Sequence, residues 1–366
     1  MRPSALILMQ DHENMNNLVP VANQLVTEGV EIEFMHMDNI LHQDIASYLP
    51  EGSHVIEFPV STTKSFYLLK QLDRIRIILR LLITPLKSTY KYLLTGRIGI
   101  LEYVVIKKLL KNNEATKVYS IQDAIIIYPE SNSAWKRLRK YLYFTKNRLN
   151  ICDRIYVSGD VTKESMIYDG VDSEKIIVTG LPRFNVVEKH IDENLDSSKV
   201  FLFITGAHRW NGFTKWGRFQ EDTIDVIKNI FQPASGYEIW IKQHPRDDYA
   251  IESDSIKVIN DKSIKVEDVL NQVDYIFASV SPSTILFQAI NMGKKVFFVE
   301  YENLSPIMPM YETMKKYIPT INISELKNYI EKVLDDGSII DISAKDNKFL
   351  KKENSQSIAN IVQDIL

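Results

Sequence analysis

The sequence predicts an α/β protein of two domains, each built on a doubly wound parallel sheet. Three observations carry that prediction. The chain has 366 residues, beyond the size at which one hydrophobic core stops growing. Short apolar runs alternate with helically spaced ones in two separate series. Between the series lies HIDENLDSS (190–198), polar and without periodicity, as a linker should be. The expected domains are therefore 1–189 and 197–366, facing each other across a cleft.

The first series opens with a strand at Ala5–Met9 and a helix from about Met15 to Glu28, whose Leu18, Val21, Ala22 and Leu25 share one face. Strands at Glu31–Met35 and His54–Phe58 follow. The rhythm resumes with strands at Lys117–Ile121, Arg154–Ser158 and Lys175–Thr179. Between these groups the pattern reads as a long helical stretch from Lys64 to Lys111. A second basic segment runs from Trp135 to Arg148. In the second series, strands are expected at Val200–Thr205, Glu238–Lys242, Lys257–Asn260, Tyr275–Ser279 and Val296–Val299. Helices are expected at Arg218–Phe231 and Thr284–Met292, with closing helices at Ser324–Leu334 and Asn354–Leu366.

Composition removes several function classes. A formal net charge of −3 argues against a nucleic-acid-binding protein, which would be basic overall. The single cysteine, Cys152, forms no internal disulfide, and no Cys/His cluster has zinc-site spacing, so neither a structural metal nor an oxidising compartment is expected. The apolar core of the first segment, Ala5 to Met9, is too short for a signal peptide and reads as a buried strand. No stretch approaches the ~18 apolar residues of a spanning helix. These features point to the cytoplasm, with any membrane association at the surface.

The average charge hides an asymmetry. Residues 64–111 hold 11 Lys/Arg against Asp73 and Glu102, a local charge of +9, and residues 135–148 add six more cations. The cations are interleaved with Leu, Ile and Tyr, as in YLLKQLDRIRIILRLLITPLKSTYKYLL. Such a pattern suits the anionic inner face of a membrane, or an anionic lipid-linked or polysaccharide acceptor. It equally suits a solvated helix face with its apolar side on the sheet.

Four short segments stand where a strand gives way to a loop or helix, which is where open α/β sheets bind ligands. Lys242-Gln243-His244-Pro245 ends the strand EIWIK; an imidazole there can stabilise charge on a departing phosphate. Ser281-Pro282-Ser283-Thr284 opens a helix, so its hydroxyls are either plain N-caps or part of an anion site, and the two are compatible. Gly293 reads as that helix's C′ residue. Thr205-Gly206-Ala207-His208-Arg209 follows the first strand of the second series. Gly206 permits close backbone approach, and Arg209 can meet a phosphate bidentately. Gln122-Asp123-Ala124 follows a strand of the first series, and Asp123 is either an N-cap or the base that deprotonates an acceptor hydroxyl. Glu130 is the second candidate for that role.

Taken together, Lys242-x-His244-Pro245, Ser283-Thr284 and the acidic residue ahead of them resemble bacterial GT-B glycosyltransferases with two Rossmann-like domains. The nearest type is the sialyltransferases and polysialyltransferases, with an acidic motif, an H-P motif and an S-S/T motif. CDP-glycerol and Kdo transferases of surface polysaccharides are similar in their H-P and Ser/Thr segments. Residues 158–185 (SGDVTKESMIYDGVDSEKIIVTGLPRFN) resemble the segment closing the first domain of CDP-glycerol transferases and UDP-GlcNAc 2-epimerases.

The resemblance implies an inverting, metal-independent transferase with no cofactor beyond a cytidine-nucleotide donor. Sialic acid is the first sugar implied, then Kdo or glycerol phosphate, moved to a surface glycan or lipid-linked acceptor. Asp123 would be the base, and His244, Ser283 and Thr284 would hold the donor phosphate. Lys242, Pro245, Ser281, Thr205, Gly206 and Arg209 would complete the donor site. Gln288 stands where many GT-B enzymes carry a ribose-binding Glu, and Glu300 is a further candidate for ribose or base contact. The chain departs from the acidic-acidic-glycine motif, which is Gln122-Asp123-Ala124 here. That departure keeps two alternatives open: a UDP-sugar transferase or UDP-GlcNAc 2-epimerase-like enzyme, and a non-catalytic glycan-binding subunit on the same scaffold.

Overall fold

Each of the two sheets reverses its strand order once, and everything relevant to a site follows from where it does so. The computed structural model describes residues 2–9, 12–36, 49–50, 53–57, 77–79, 81–83, 86, 89–122, 148–184, 200–208, 214–230, 236–244, 250–253, 256–261, 264, 266–279, 284–300, 315, 317–336, 348–349, 351 and 356–366. The chain divides into two compact units, Met1–Val186 with Lys348–Leu366, and Val187–Asn347.

In the first unit, the described strands are β1 (Ser4–Met9), β2 (Glu31–His36), β3 (His54–Glu57), β4 (Tyr92–Thr95), β5 (Lys117–Ile121), β6 (Arg154–Val157) and β7 (Ile176–Val178). They lie in the order β3-β2-β1-β4-β5-β6-β7, and every pairing is parallel. Helices α1 (His12–Thr27), α2 (Ile100–Asn112) and α3 (Asp160–Tyr168) connect them. Two cores follow from the two faces of this sheet. Ala5, Ile7 and Met9 of β1 pack with Leu18, Val21 and Leu25 of α1, while Leu6 and Leu8 pack with Val105, Ile106 and Leu109 of α2. A central parallel strand is covered on both faces, which is why β1 reads as an unbroken apolar run.

Strand β4 corrects the expectation of one long helix over 64–111. Tyr92-Leu93-Leu94-Thr95 is buried throughout and pairs with β1 on one side and β5 on the other. Four buried residues cannot be told from a turn of buried helix by periodicity alone. The flanking Gly96 and Gly99 were the available signal.

The second unit contains β8 (Val200–Ile204), β9 (Glu238–Lys242), β10 (Lys257–Ile259), β11 (Tyr275–Ser279), β12 (Lys295–Glu300) and β13 (Thr320–Asn322). Its sheet runs β10-β9-β8-β11-β12-β13, again all parallel among the described pairs. Helices α4 (Thr214–Ile230), α5 (Val266–Asn271), α6 (Thr284–Asn291) and α7 (Leu326–Asp336) accompany it. Aromatic rings stack in its isoleucine-rich interior: Phe201 on Tyr275 with centroids 4.6 Å apart, and Phe277 on Phe297 at 5.1 Å. The expected C′ glycine is present: Gly293 has φ +77°, and Lys294 N–H donates to the Ala289 carbonyl at 2.9 Å. Strand β13 and helices α3 and α5 were not separately anticipated, being three to nine residues long.

A second correction concerns the chain's end. The helix expected to close the second domain, α8 (Ser357–Ile365), belongs to the first unit instead. Its Ile361, Val362 and Ile365 enter the core beside Leu18, Val21 and Leu25 of α1, and Tyr156 Oη donates to Asp364 at 2.7 Å. The returning segment is clamped before that helix begins. Val161 N–H donates to the Lys348 carbonyl at 3.0 Å, and Lys351 N–H to the Ser158 carbonyl at 2.8 Å. Gly159 lies between those two bonds, and a Cβ there would run into the Lys348 and Phe349 backbone. The glycine is required for close approach rather than for its dihedral angles, since its φ of −167° is ordinary extended backbone.

Candidate functional site

A strand-order reversal leaves a gap above the carboxyl ends of the two central strands, because the connections on either side run in opposite directions. In the second unit that reversal lies between β8 and β11. Three expected site segments leave the sheet there or on the adjoining strand: the loop after β8, the loop after β9 and the start of α6.

The loop after β8 is tightly held. Gly206 N–H donates to Gln220 Oε1 at 2.6 Å, and Gln220 Nε2 donates back to the Gly206 carbonyl at 3.2 Å. Gln220 lies on α4, buried beside Thr223, Ile224 and Ile227. One side-chain amide thus fixes both polar groups of the glycine that permits close approach. His208 N–H also donates to the Gly206 carbonyl, at 2.8 Å. Burial lowers the pKa of His208, so its ring is neutral at pH 7 and offers one donor and one acceptor.

The loop after β9 is tied to the same place. Thr205 N–H donates to the Lys242 carbonyl (3.2 Å), and His244 N–H donates to Thr205 Oγ1 (2.8 Å). Thr205 is buried, and its hydroxyl therefore sets the position of the His244 backbone. Lys242 is largely withdrawn from solvent: its Nζ donates to the Asp261 carbonyl at 3.2 Å. Burial lowers its pKa, and Asp261 partly offsets this.

The third segment is described only in part. Strand β11 ends at Ser279, whose buried Oγ has no hydrogen-bond partner among the described residues. Helix α6 opens at Thr284. A buried hydroxyl without a partner at the end of a central strand, next to the order reversal, calls for an explanation.

The structure thus brings Thr205, Gly206, His208, Lys242 and His244 together through direct backbone and side-chain bonds. Gln288 is buried on α6, and Glu300, at the end of β12, forms an ion pair with Lys315 at 2.7 Å. Asp123, Glu130, Arg209, Pro245, Ser281, Ser283 and the side chain of Thr284 lie outside the described residues. In the first unit, Gln122 is an internal brace, its Nε2 donating to Ser120 Oγ at 2.7 Å and its N–H to the Tyr156 carbonyl at 3.0 Å.

Two residues of the site were missed from sequence. Gln220 carries a legible signal, a glutamine four residues before Ile224 on the apolar face of a helix. Ser279 carries none beyond ending an apolar strand. Glu102, in the first turn of α2, was counted only as a charge and proves fully buried. Burial raises its pKa to about 7, against the opposing pull of the backbone N–H groups at 102 and 99 and the charges of Arg97 and Arg148. Among the described residues, no three His, Cys, Asp or Glu side chains group as metal ligands, and no helix is long and apolar enough to cross a membrane.

The chain matches no protein-family model and no curated protein. Its similarity is to solved structures. A Listeria monocytogenes protein assigned as a UDP-N-acetylglucosamine 2-epimerase superposes with a TM-score of 0.68 at 12% identity, over 100% of this chain and 96% of that one. The glycosyltransferase of kitacinnamycin gives 0.66 at 11% identity, over 100% and 99%. The wall teichoic acid polymerase TagF, soaked with CDP-glycerol, gives 0.56 at 13% identity, over 99% and 87%. At such identities the likeness is one of fold, and it makes the two Rossmann-like units a GT-B-type architecture.

Proposed function

We propose that the chain is a glycosyltransferase of GT-B type that takes a sugar from a nucleotide donor held on its second unit. The observation that carries this reading is the junction of Thr205, Gly206 and His244 beside the order reversal, where His244 N–H sits on Thr205 Oγ1 and the Gln220 amide braces Gly206. A donor phosphate there would meet the His244 imidazole and the start of α6, with Ser283 and Thr284. These groups would stabilise charge growing on the departing phosphate. Asp123, on the first unit, would take the acceptor proton, so no metal is needed for either step.

Two comparisons support a nucleotide-linked substrate in general terms, since one similar structure is assigned to a UDP-sugar enzyme and another was soaked with CDP-glycerol. For the donor we favour a cytidine nucleotide carrying sialic acid, then Kdo or glycerol phosphate, on the strength of the His-Pro and Ser-Thr segments. The acceptor would be a surface glycan or its lipid-linked precursor.

An epimerase-like reading has one observation in its favour: the Listeria protein assigned to that activity aligns over nearly the whole of both chains. The experiment is a melting screen with CMP, CDP, UMP, UDP and GDP, followed by turnover assays. A ligand at 100 times its Kd stabilises by about 2.7 kcal/mol. A shift with CMP or CDP supports the cytidine donor, and a shift with UDP alone moves the donor to uridine. Conversion of UDP-GlcNAc without any acceptor would establish the epimerase instead. Absence of any nucleotide shift would favour a non-catalytic glycan-binding subunit. In the Asp123→Ala variant, turnover should vanish while the nucleotide shift persists; full activity in that variant would remove Asp123 as the base.

A further inference from the structure

We propose that the helical residues 77–79 and 81–83, with the adjoining face of α2, dock this chain on an anionic lipid bilayer. Residues 77–79 and 81–83 are helical. Ile77 and Leu81, four residues apart, are buried in the first unit's core. A surface helix ordinarily turns a polar face outward. Here the outward face is apolar as well: Leu79 is 58% exposed, Leu82 54% and Ile83 81%. Among the described residues, the other exposed large apolar side chains stand singly or as one adjacent pair, scattered from Val26 to Leu366. Isolated exposed apolar residues need no explanation, but three within five residues form a patch.

That patch is held in place. Lys108 Nζ, on α2, donates to the Leu81 and Leu82 carbonyls at 2.8 Å each, fastening the end of the turn to the longer helix. One turn of α2 then places Lys107 and Lys111 in solvent. The 77–83 segment has no acidic residue, and the single acid of α2, Glu102, is fully buried. Neither element therefore exposes a carboxylate, and the surrounding sequence, 64–111, carries +9. An apolar tip beside the exposed Lys107 and Lys111 matches a bilayer whose acyl boundary takes the tip and whose anionic headgroups meet the lysines. The inference concerns the first unit and is independent of which nucleotide the second unit holds.

The test is vesicle flotation of the full chain with phosphatidylcholine vesicles, with and without phosphatidylglycerol. The wild-type chain should float with the anionic vesicles, less with neutral ones, and less as salt is raised. The combined variant Leu79→Ser, Leu82→Ser, Ile83→Ser should bind at least about tenfold more weakly with an unchanged melting temperature, because all three side chains are already exposed. Lys107→Glu with Lys111→Glu should weaken binding to the anionic vesicles and flatten its salt dependence. Wild-type affinity in the triple-serine variant would overturn the proposal, as would equal binding to neutral and anionic vesicles, or binding to neither. Sedimentation gives a further outcome: a wild-type oligomer that the triple-serine variant dissociates, with no vesicle affinity, would make the occupant a second copy of this chain.

Discussion

Replacing Gln220 with alanine isolates the bond pair on which the proposed phosphate loop depends. The amide makes two hydrogen bonds, to the N–H (2.6 Å) and the carbonyl (3.2 Å) of Gly206, fourteen residues earlier in the chain. Both bonds are buried. A buried backbone group left without its partner costs about 1–3 kcal/mol. Two such groups in the variant give about 3 kcal/mol, taking the lower half of that range for each. For a unit of roughly 160 residues, 1 kcal/mol corresponds to about 2–4 °C, so the second unit should melt about 6–12 °C lower. Scanning calorimetry with and without the best nucleotide reads both the loss and the ligand increment. If the loop is part of the donor site, the increment seen with wild type should fall together with the melting temperature. Gln220→Glu can keep both bonds only while its buried carboxyl is protonated, so that variant should lose stability as pH rises and the carboxylate forms against the Gly206 carbonyl. A melting temperature within about 1 °C of wild type in Gln220→Ala would refute the bracing role. A lowered melting temperature with an unchanged nucleotide increment would sever the loop from the site.

Three other outcomes follow from buried contacts. Gly159→Ala should push the returning segment off the β6–α3 turn, because the new Cβ overlaps the Lys348 and Phe349 backbone. A loss of about 1–3 kcal/mol and faster proteolysis around residue 348 would show it. Tyr156→Phe removes the donor to Asp364, and should lower stability by about 1 kcal/mol in urea titration. Glu102 sets a pH dependence. Its native pKa of about 7 lies above the ordinary 4.5, so the folded state binds the proton more tightly than the unfolded one. Its contribution is fully present below about pH 4.5 and is lost as pH rises to about 7, some 3 kcal/mol in all. Glu102→Gln should flatten stability against pH across that window, and an unchanged slope would place the titration elsewhere.

Much of the architecture was legible because parallel α/β sheets announce themselves in two ways. Their central strands are covered on both faces, so VFLFI and YIFA stand out as short unbroken apolar runs. Their helices follow with a periodicity that a strand cannot imitate, as in Leu18, Val21, Ala22 and Leu25 of α1. Strand β4 escaped because a four-residue run beside strongly helical, cation-rich sequence offers too few positions for either period to register. Helix α8 was found as a helix and assigned to the wrong unit. Its apolar face, Ile361, Val362 and Ile365, states that it must be covered and not by what. The address is written elsewhere, in the space above α1 and in Gly159, whose missing side chain lets the returning backbone pass.

The candidate site divides along the same line. Residues that would touch a ligand could be proposed from position alone, because chemistry at the carboxyl end of a strand is the general habit of open sheets. That reasoning reached Thr205, Gly206, Lys242 and His244. It passed over the residues that hold those groups still. Gln220 acts on Gly206 from another element, and Thr205, proposed as a contact, is placed by the structure beneath the His244 backbone. Lys242, the expected phosphate ligand, gives one of its three ammonium donors to the Asp261 carbonyl. Ser279 has no partner among the described residues, and a bare serine at the close of YIFAS could not have disclosed it. Ser279→Ala separates the two possibilities. If the hydroxyl awaits a phosphate oxygen, the substitution leaves the ligand-free melting temperature unchanged or slightly higher, since no internal bond is lost. It should also reduce the nucleotide-induced shift by about 1 kcal/mol. A lowered ligand-free melting temperature with an intact nucleotide shift would make Ser279 part of the core and leave the site to the loops after β8 and β9.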